Sequence, residues 1–489
     1  MIARTYQAGA RAALAFALLT FGMAQSVSAQ KLDRDKEPAV GKSVPLRVPT
    51  WTKTKLANGA DLLVVKKRDL PLIAVNIDFV GGASSYEPAD KVGVASFAGQ
   101  MLSEGTKTKT ADQLSDAQQM LGTQIFAQVG SESGTISFTS LKDKFEPAMA
   151  LLADMLLNST FPDSSLERNR ARTLVGLTQA KDQPNAIAAN VFSKVTYGDD
   201  HPYGRVLSER TVKAITRDDV MSFAKSYFRP GRAIITVSGD IDPKTARAVV
   251  ERTLAAWPAG GERPTFAYGP VPTPKQRTIY LVDKPKAAQS VFILGEPGPA
   301  RNTPDYYALS VMNRLLGGMF QSRLNHDIRE VKAYSYGASS AYAFGRGPGA
   351  FRAGGGIVSA KSDSALIAFM TNFKGVQGDM PFTDEELTMG KQSLIQSLPS
   401  RFSTVNGIAG AISSIYTQDL PETYFKDYAS KIDAVTKDDL TRVAKKYIDV
   451  DHMNLVIVGD RASIEGPLKA TGIAPIQILD VEGHPVLVP

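Results

Sequence analysis

The sequence predicts an α+β protein built from two homologous units in tandem, each an antiparallel sheet with helices packed on one face. Three observations carry this expectation. The segment Ala214-Ile215-Thr216-Arg217-Asp218-Asp219 returns as Ala434-Val435-Thr436-Lys437-Asp438-Asp439, an offset of 436 − 216 = 220. Earlier landmarks keep nearly the same spacing: Ser164 and Thr383 are 219 apart, as are Tyr197 and Tyr416. Strand-like and helical periods follow one another in both halves, and residues 257–273, with Pro258, Gly260, Gly261, Pro264, Gly269, Pro270 and Pro272, form a linker between them.

The expected organisation is a signal peptide at 1–29, an extended arm at 30–48, a first domain at 49–256, the linker at 257–273 and a second domain at 274–489. Arg4 and Arg11 form a positive end, residues 12–24 an apolar run, and Val27-Ser28-Ala29 a small-residue cleavage pattern. Cleavage after Ala29 places the chain in a bacterial periplasm, with no membrane attachment after signal removal; a retained anchor is the alternative. The 489 residues, 43% hydrophobic and 21% charged, supply ample core. Net charge is +7, or 7 − 2 = +5 without Arg4 and Arg11. This excess is dispersed and lacks a basic run with interleaved aromatics, so a nucleic-acid partner is not expected. The chain has no Cys, which excludes disulfides and an N-terminal lipidated Cys.

In chain order, Asn58-Gly59 marks a turn between strand-like runs, and residues 61–66 and 72–80 are strands. Residues 93–106, G-V-A-S-F-A-G-Q-M-L-S-E-G-T, follow. Val94, Phe97, Ala98, Met101 and Leu102 make one apolar helical face, with Asp90 as N-cap and Gly105 as stop. Ser96, Gly99 and Gln100 lie opposite. Residues 111–121 read as a helix, and 122–129 and 134–141 as a strand hairpin. Residues 145–158 form an amphipathic helix, and another starts at Ser164 with Glu167 closing a capping box. Arg168, Arg170 and Arg172 read as a solvated face, and His201 as a turn residue before Pro202. Thr216 and Thr436 each cap a helix with Asp three residues on, and Thr383 does so with Glu386. Residues 345–349 and 354–356 read as Gly-rich turns and a loosened strand; no phosphate-loop Lys follows them.

The 93–106 frame resembles the zinc-site helix of the pitrilysin/insulinase-type metallopeptidases, the inverzincins that include the mitochondrial processing peptidase. There it reads roughly G-L-A-H-F-L-E-H-M-L-F-K-G-T, with two zinc-binding His and a general-base Glu. Laid on this chain, the His positions hold Ser96 and Gln100, and the Glu position holds Gly99. The family's further Glu ligand falls on Gly176 within Leu174-Val175-Gly176-Leu177. Catalytic zinc takes three His, Glu, Asp or Cys ligands and an open water position. The resemblance therefore implies a member without zinc or general base of its own, and Ser96 has no neighbouring base that would make it a nucleophile. On the edge strand the family's Asn-Ala pair is replaced by Phe126-Ala127.

Residues 322–337, S-R-L-N-H-D-I-R-E-V-K-A-Y-S-Y-G, resemble the family's second-domain motif, in which an Arg and a Tyr seven apart contact substrate backbone. Arg329 and Tyr336 stand at that spacing. A guanidinium and a phenol can both donate to a developing oxyanion. The resemblance implies a substrate-binding subunit of a heterodimeric zinc peptidase. Its partner, a homologous chain, would carry the zinc and the general base, and its substrate would be a peptide or unfolded protein. The alternative is a structural or peptide-binding pseudo-peptidase with no part in hydrolysis.

Overall fold

The computed structural model describes residues 46–266 and 268–486. The expected signal peptide and most of the expected arm lie outside them. No helix among the described residues is long and apolar enough to cross a membrane.

Twelve strands form two six-stranded sheets. The first holds β1 (Trp51–Lys55), β2 (Asp61–Lys66), β3 (Leu72–Val80), β4 (Phe126–Val129), β5 (Ser133–Leu141) and β6 (Ala233–Gly239), in the order β1-β2-β6-β3-β5-β4. The second holds β7 (Thr278–Asp283), β8 (Gln289–Pro297), β9 (Ser339–Ala343), β10 (Ala350–Val358), β11 (Asn454–Gly459) and β12 (Ile476–Leu479), in the order β12-β7-β11-β8-β10-β9. Pairing is antiparallel except at β2–β6, β7–β11 and β7–β12. Five of the six places repeat in register with chain order: β2 matches β7, β6 matches β11, β3 matches β8, β5 matches β10, and β4 matches β9. The outermost place is filled from opposite directions along the chain, by β1 in one sheet and β12 in the other. The α+β fold with two tandem units is thus as the sequence implied.

The strand period sorts β3 onto two faces. Ile73, Val75, Ile77 and Phe79 enter the first unit's own core, packed by helices Phe145–Asn158 and Arg217–Tyr227. The alternate residues face the other way, and there the structure goes beyond expectation. Ala74 is covered by Val405 and Ala409 of helix Val405–Thr417, which comes from the second unit. The exchange is reciprocal. Helix Pro184–Tyr197 of the first unit lays Ile187, Ala188, Val191 and Phe192 on Val282, Val291, Val456 and Val458 of the second sheet. The two helices are the elements that carry Tyr197 and Tyr416, so they are equivalent in the repeat. Each large apolar side chain buried this way contributes on the order of 1.5–3 kcal/mol.

Polar contacts fix the exchange. Asp78, on β3 and only 8% exposed, accepts hydrogen bonds from Thr135 Oγ1 (2.6 Å) and from Ser413 Oγ of the incoming helix. Burial pushes its carboxyl above the usual range, and the two hydroxyls pull it partly back. Trp51 Nε1 donates to the Tyr416 hydroxyl (2.8 Å), and Asn454 Nδ2 donates to Thr196 Oγ1 (3.2 Å).

Local capping follows the sequence at three of the five positions expected to cap. Thr216 with Asp219, Thr436 with Asp439 and Thr383 with Glu386 all close capping boxes. Ser164 does not cap. Pro162 takes the N-cap place of helix Asp163–Ala180 and starts it two residues early, leaving Ser164 inside the first turn. The arginines on this helix are not merely solvated: Arg170 donates to the carbonyls of Val212 and Ile215 (2.7 Å for the latter), and Arg168 pairs with Glu104. His201 is buried, stacked on Tyr197, with its Nδ1 accepting from the Tyr203 N–H (3.1 Å).

Candidate functional site

The organising helix spans Val94–Gln100 and tightens into a single turn at Met101–Ser103. Asp90 does not cap it, because it sits in a separate turn, Ala89–Lys91. The N-cap is Gly93 at φ 107°, a left-handed conformation that suits glycine. The capping side chain is Glu87, whose Oε1 accepts from the N–H of Gly93 (2.9 Å) and of Ala95 (2.8 Å). Burial raises the Glu87 carboxyl, and these two N–H groups and Arg205 oppose the rise. Sequence reasoning missed Glu87 because it reaches back across an intervening turn, outside the usual capping spacing.

On the exposed side, Gln100 Nε2 donates to Ser96 Oγ (2.9 Å), so the side chains at the family's two His positions satisfy each other. Gly99 is buried between them against the edge strand. A Cβ there would lie 3.0 Å from Gln128 Cα and from Val129 N, and 3.1 Å from the Gln128 carbonyl carbon. The helix has settled onto β4 where a side chain would otherwise stand. The second unit shows the same device. Gly317, which ends helix Tyr306–Leu316, would place a Cβ 2.3 Å from Ser340 N on β9, the equivalent edge strand. The offset, 317 − 99 = 218, matches the repeat.

Gly176 lies on the exposed part of helix Asp163–Ala180, with open space around its Cβ direction. Its neighbours Leu174, Val175 and Leu177 line a cavity of about 1020 Å³, which Ala89 and Val92 border ahead of the organising helix. Val481, Glu482 and His484 close its far side. Lys181 pairs with Glu482 (2.7 Å), and Lys194 Nζ reaches the Glu482 carbonyl (3.1 Å) and His484 Nε2 (3.0 Å).

Zinc does not fit these positions. Ser96 and Gln100 offer only neutral groups, with the Ser96 hydroxyl already accepting from Gln100 Nε2, and Gly99 and Gly176 offer no side-chain ligand. No group of three or more His, Cys, Asp or Glu that could hold a metal occurs among the described residues.

The second motif folds as a helical turn, Arg323–Asn325, running into a wider π-type turn, His326–Val331. Arg323 anchors it through Glu386 (2.7 Å), the residue that also closes the Thr383 cap. Arg329 is half-buried, with its guanidinium 4.6 Å over the Phe320 ring. Tyr336 is 86% exposed. Neither has a side-chain hydrogen-bond or ion-pair partner among the described residues, and no hydrogen bond joins the two. The neighbouring Ser335 hydroxyl donates to the Gly356 carbonyl (2.8 Å), fixing the backbone that presents Tyr336. On the edge strand Phe126 stands 58% exposed. Among the described residues β4 pairs only with β5, so its other edge has main-chain groups outside the sheet.

Comparison with known proteins agrees with this geometry. Residues 71–208 match the model of the insulinase family, peptidase family M16, and residues 214–394 match the peptidase M16 inactive domain. An uncharacterized zinc protease of Bacillus subtilis is 27% identical over 285 residues, 58% of this chain and 68% of that protein. Another, from Mycobacterium leprae, is 27% identical over 371 residues, 74% of this chain and 81% of that one. The crystal structure of a peptidase M16 inactive domain from Pseudomonas fluorescens matches with a TM-score of 0.76 at 27% identity, covering 84% of this chain and 98% of the other. By its two matched models and its repeated architecture, the chain belongs to the pitrilysin/insulinase-type family of M16 peptidases.

Proposed function

We propose that this chain is the non-catalytic, substrate-binding subunit of a periplasmic zinc peptidase made of two homologous chains. The observation that carries the reading is an asymmetry between its two motifs. The first is closed: Ser96 and Gln100 bond each other, and Gly99 is packed on β4. The second is open: Tyr336 projects into solvent, and Arg329 rests on Phe320 with its donors unspent.

In this reading the partner chain holds zinc and the general base. The residues of this chain do three things. Arg329 and Tyr336 donate to substrate carbonyl oxygens near the scissile bond, where hydrolysis builds negative charge. The free edge of β4 offers main-chain N–H and C=O groups to an extended peptide. The cavity beside Leu174 and Leu177, lined by both apolar and charged residues, gives room for substrate side chains; its volume lies at the upper end of the range for ligand pockets.

The test is peptidase activity on an unstructured peptide, with this chain alone, with a zinc-bearing homologue, and with that homologue plus Arg329→Ala/Tyr336→Phe. Silence alone, activity in the mixture, and a loss of about 10- to 1,000-fold with the double variant are the expected results. Full activity with the double variant would leave this chain as scaffold.

A further inference from the structure

A second recess lies in the second unit, on elements that carry neither motif. It has a volume of about 400 Å³ and is formed where helices Tyr306–Leu316, Asp384–Ser397 and Tyr424–Asp433 meet the short turn Pro399–Phe402 and the loops after β8 and β9. Its walls are aromatic. Tyr306 meets Phe344 edge to face at 4.9 Å, and Tyr424 meets Tyr428 at 5.7 Å. Two arginines, Arg301 and Arg401, line it, while no Asp, Glu or Lys does.

The two guanidinium groups differ from the cations around them. Nearby cations are matched: Arg346 pairs with Asp419, and Arg442 and Lys446 both pair with Asp305. Arg301 and Arg401 have no ion pair and no side-chain hydrogen bond among the described residues. Arg301 lies flat over Tyr306, 3.3 Å from the ring centroid, with Tyr424 5.2 Å away. Arg301, Arg401 and Tyr428 line the same recess. Burial keeps the phenols of Tyr424 and Tyr428 protonated well beyond neutral pH, which makes them donors. The recess therefore offers cations and hydroxyl donors to an anion, and flat apolar walls to a ring.

We propose that this recess binds a small aryl carboxylate, with the carboxylate between Arg301 and Arg401 and the ring against Tyr306 and Tyr424. A bound carboxylate would supply a counter-ion to two guanidinium groups that line the recess without one. Edge-to-face and stacked ring contacts would select an aromatic body over an aliphatic one. The carboxylate could belong to a free aryl acid or to the aromatic C-terminal residue of a peptide, and the recess recognises the chemistry common to both.

The experiment is titration calorimetry on the full chain with N-acetyl-L-phenylalanine as probe. Three further ligands are N-acetyl-L-phenylalanine amide, acetate, and a tripeptide ending in Phe. Saturable binding of the probe, at least tenfold weaker for the amide and for acetate, is expected. Arg301→Gln and Arg401→Gln should each weaken it at least tenfold, with thermal unfolding confirming that both variants fold. Arg401 is exposed, so its variant tests the site even where Arg301→Gln perturbs the Tyr306 stack. Tripeptide binding equal to the probe assigns the ligand to peptide ends, and its absence assigns it to free aryl acids. No binding of the probe at 10 mM (about the weakest affinity such a site can usefully have), equal binding of the amide, or unchanged binding by both variants would overturn the proposal.

Discussion

Replacing Glu296 by Gln should flatten the pH dependence of stability above pH 5. Glu296 sits near the end of β8, 7% exposed, and its Oε1 accepts from the backbone N–H of Asp449 (2.7 Å). Burial raises its carboxyl from 4.5 to about 8, with the Asp449 charge adding to the rise and the Asp449 N–H opposing it. In the folded chain the group therefore keeps its proton at neutral pH, whereas the unfolded chain releases it near 4.5. The unfolded state binds fewer protons between those values, so stability falls as pH rises through the window. It is fully present below 4.5 and lost by the time pH passes about 8. At 1.36 kcal/mol per pH unit, the interval from 4.5 to about 8 amounts to about 5 kcal/mol. That is a large share of a typical folding free energy of about 5–15 kcal/mol. Gln keeps the oxygen that accepts from Asp449 and cannot ionise. Urea unfolding of both proteins at pH 5 and pH 8.5 measures the effect. The wild type should lose several kcal/mol more than Glu296→Gln between the two conditions. Asp78 and Glu87, also raised by burial, contribute equally to both proteins and cancel. Parallel losses in the two proteins would refute the reasoning.

Restoring the family residues with Ser96→His, Gly99→Glu, Gln100→His and Gly176→Glu should not restore a peptidase, because a Cβ at position 99 would press on the β4 backbone at 3.0 Å and shift the helix that has to hold the ligands. The Gly99→Glu change alone should cost about 1–3 kcal/mol, read by urea unfolding, and stoichiometric zinc with peptide cleavage by the fourfold variant would contradict this. Ser413→Ala removes one of two donors from the buried Asp78 carboxyl and should cost about 1–3 kcal/mol, with the Asp78 pKa rising further. An unchanged urea midpoint would show that Asp78 does not depend on the incoming helix. Gly93→Ala forces an L side chain to φ 107°, and should destabilise by about 1–2 kcal/mol in thermal unfolding; a neutral result would mean that the cap relaxes without cost.

The sequence was most informative where the chemistry is local. The Thr216, Thr383 and Thr436 caps need only a hydroxyl and a carboxylate three residues apart, and all three formed. Ser164 has the same spacing, yet the proline two residues before it sets the helix start. Glu87 was illegible because its reach to Gly93 and Ala95 depends on how the chain turns between them. The repeat revealed the matching strands, but not the helix exchange, since any amphipathic helix could cover either sheet. At the first motif, the substitutions could be read directly. What they leave behind, a helix seated on its edge strand, required the backbone geometry around Gly99. At the second, the spacing of Arg329 and Tyr336 could be read, whereas the support of Arg329 by Phe320 depends on the path of the π-type turn.

The reciprocal placement of helices Pro184–Tyr197 and Val405–Thr417 bears on how such a chain can change over time. Neither half is a detachable module, because each lends the other the cover for one side of its sheet. A half that loses its chemistry cannot then be discarded as a spare part. Its deletion would strip Val282, Val291, Val456 and Val458 bare in the half that remains. Mutational drift is thus free to erase residues such as those facing the solvent at Ser96 and Gln100, while the scaffold beneath them stays under full selection for packing.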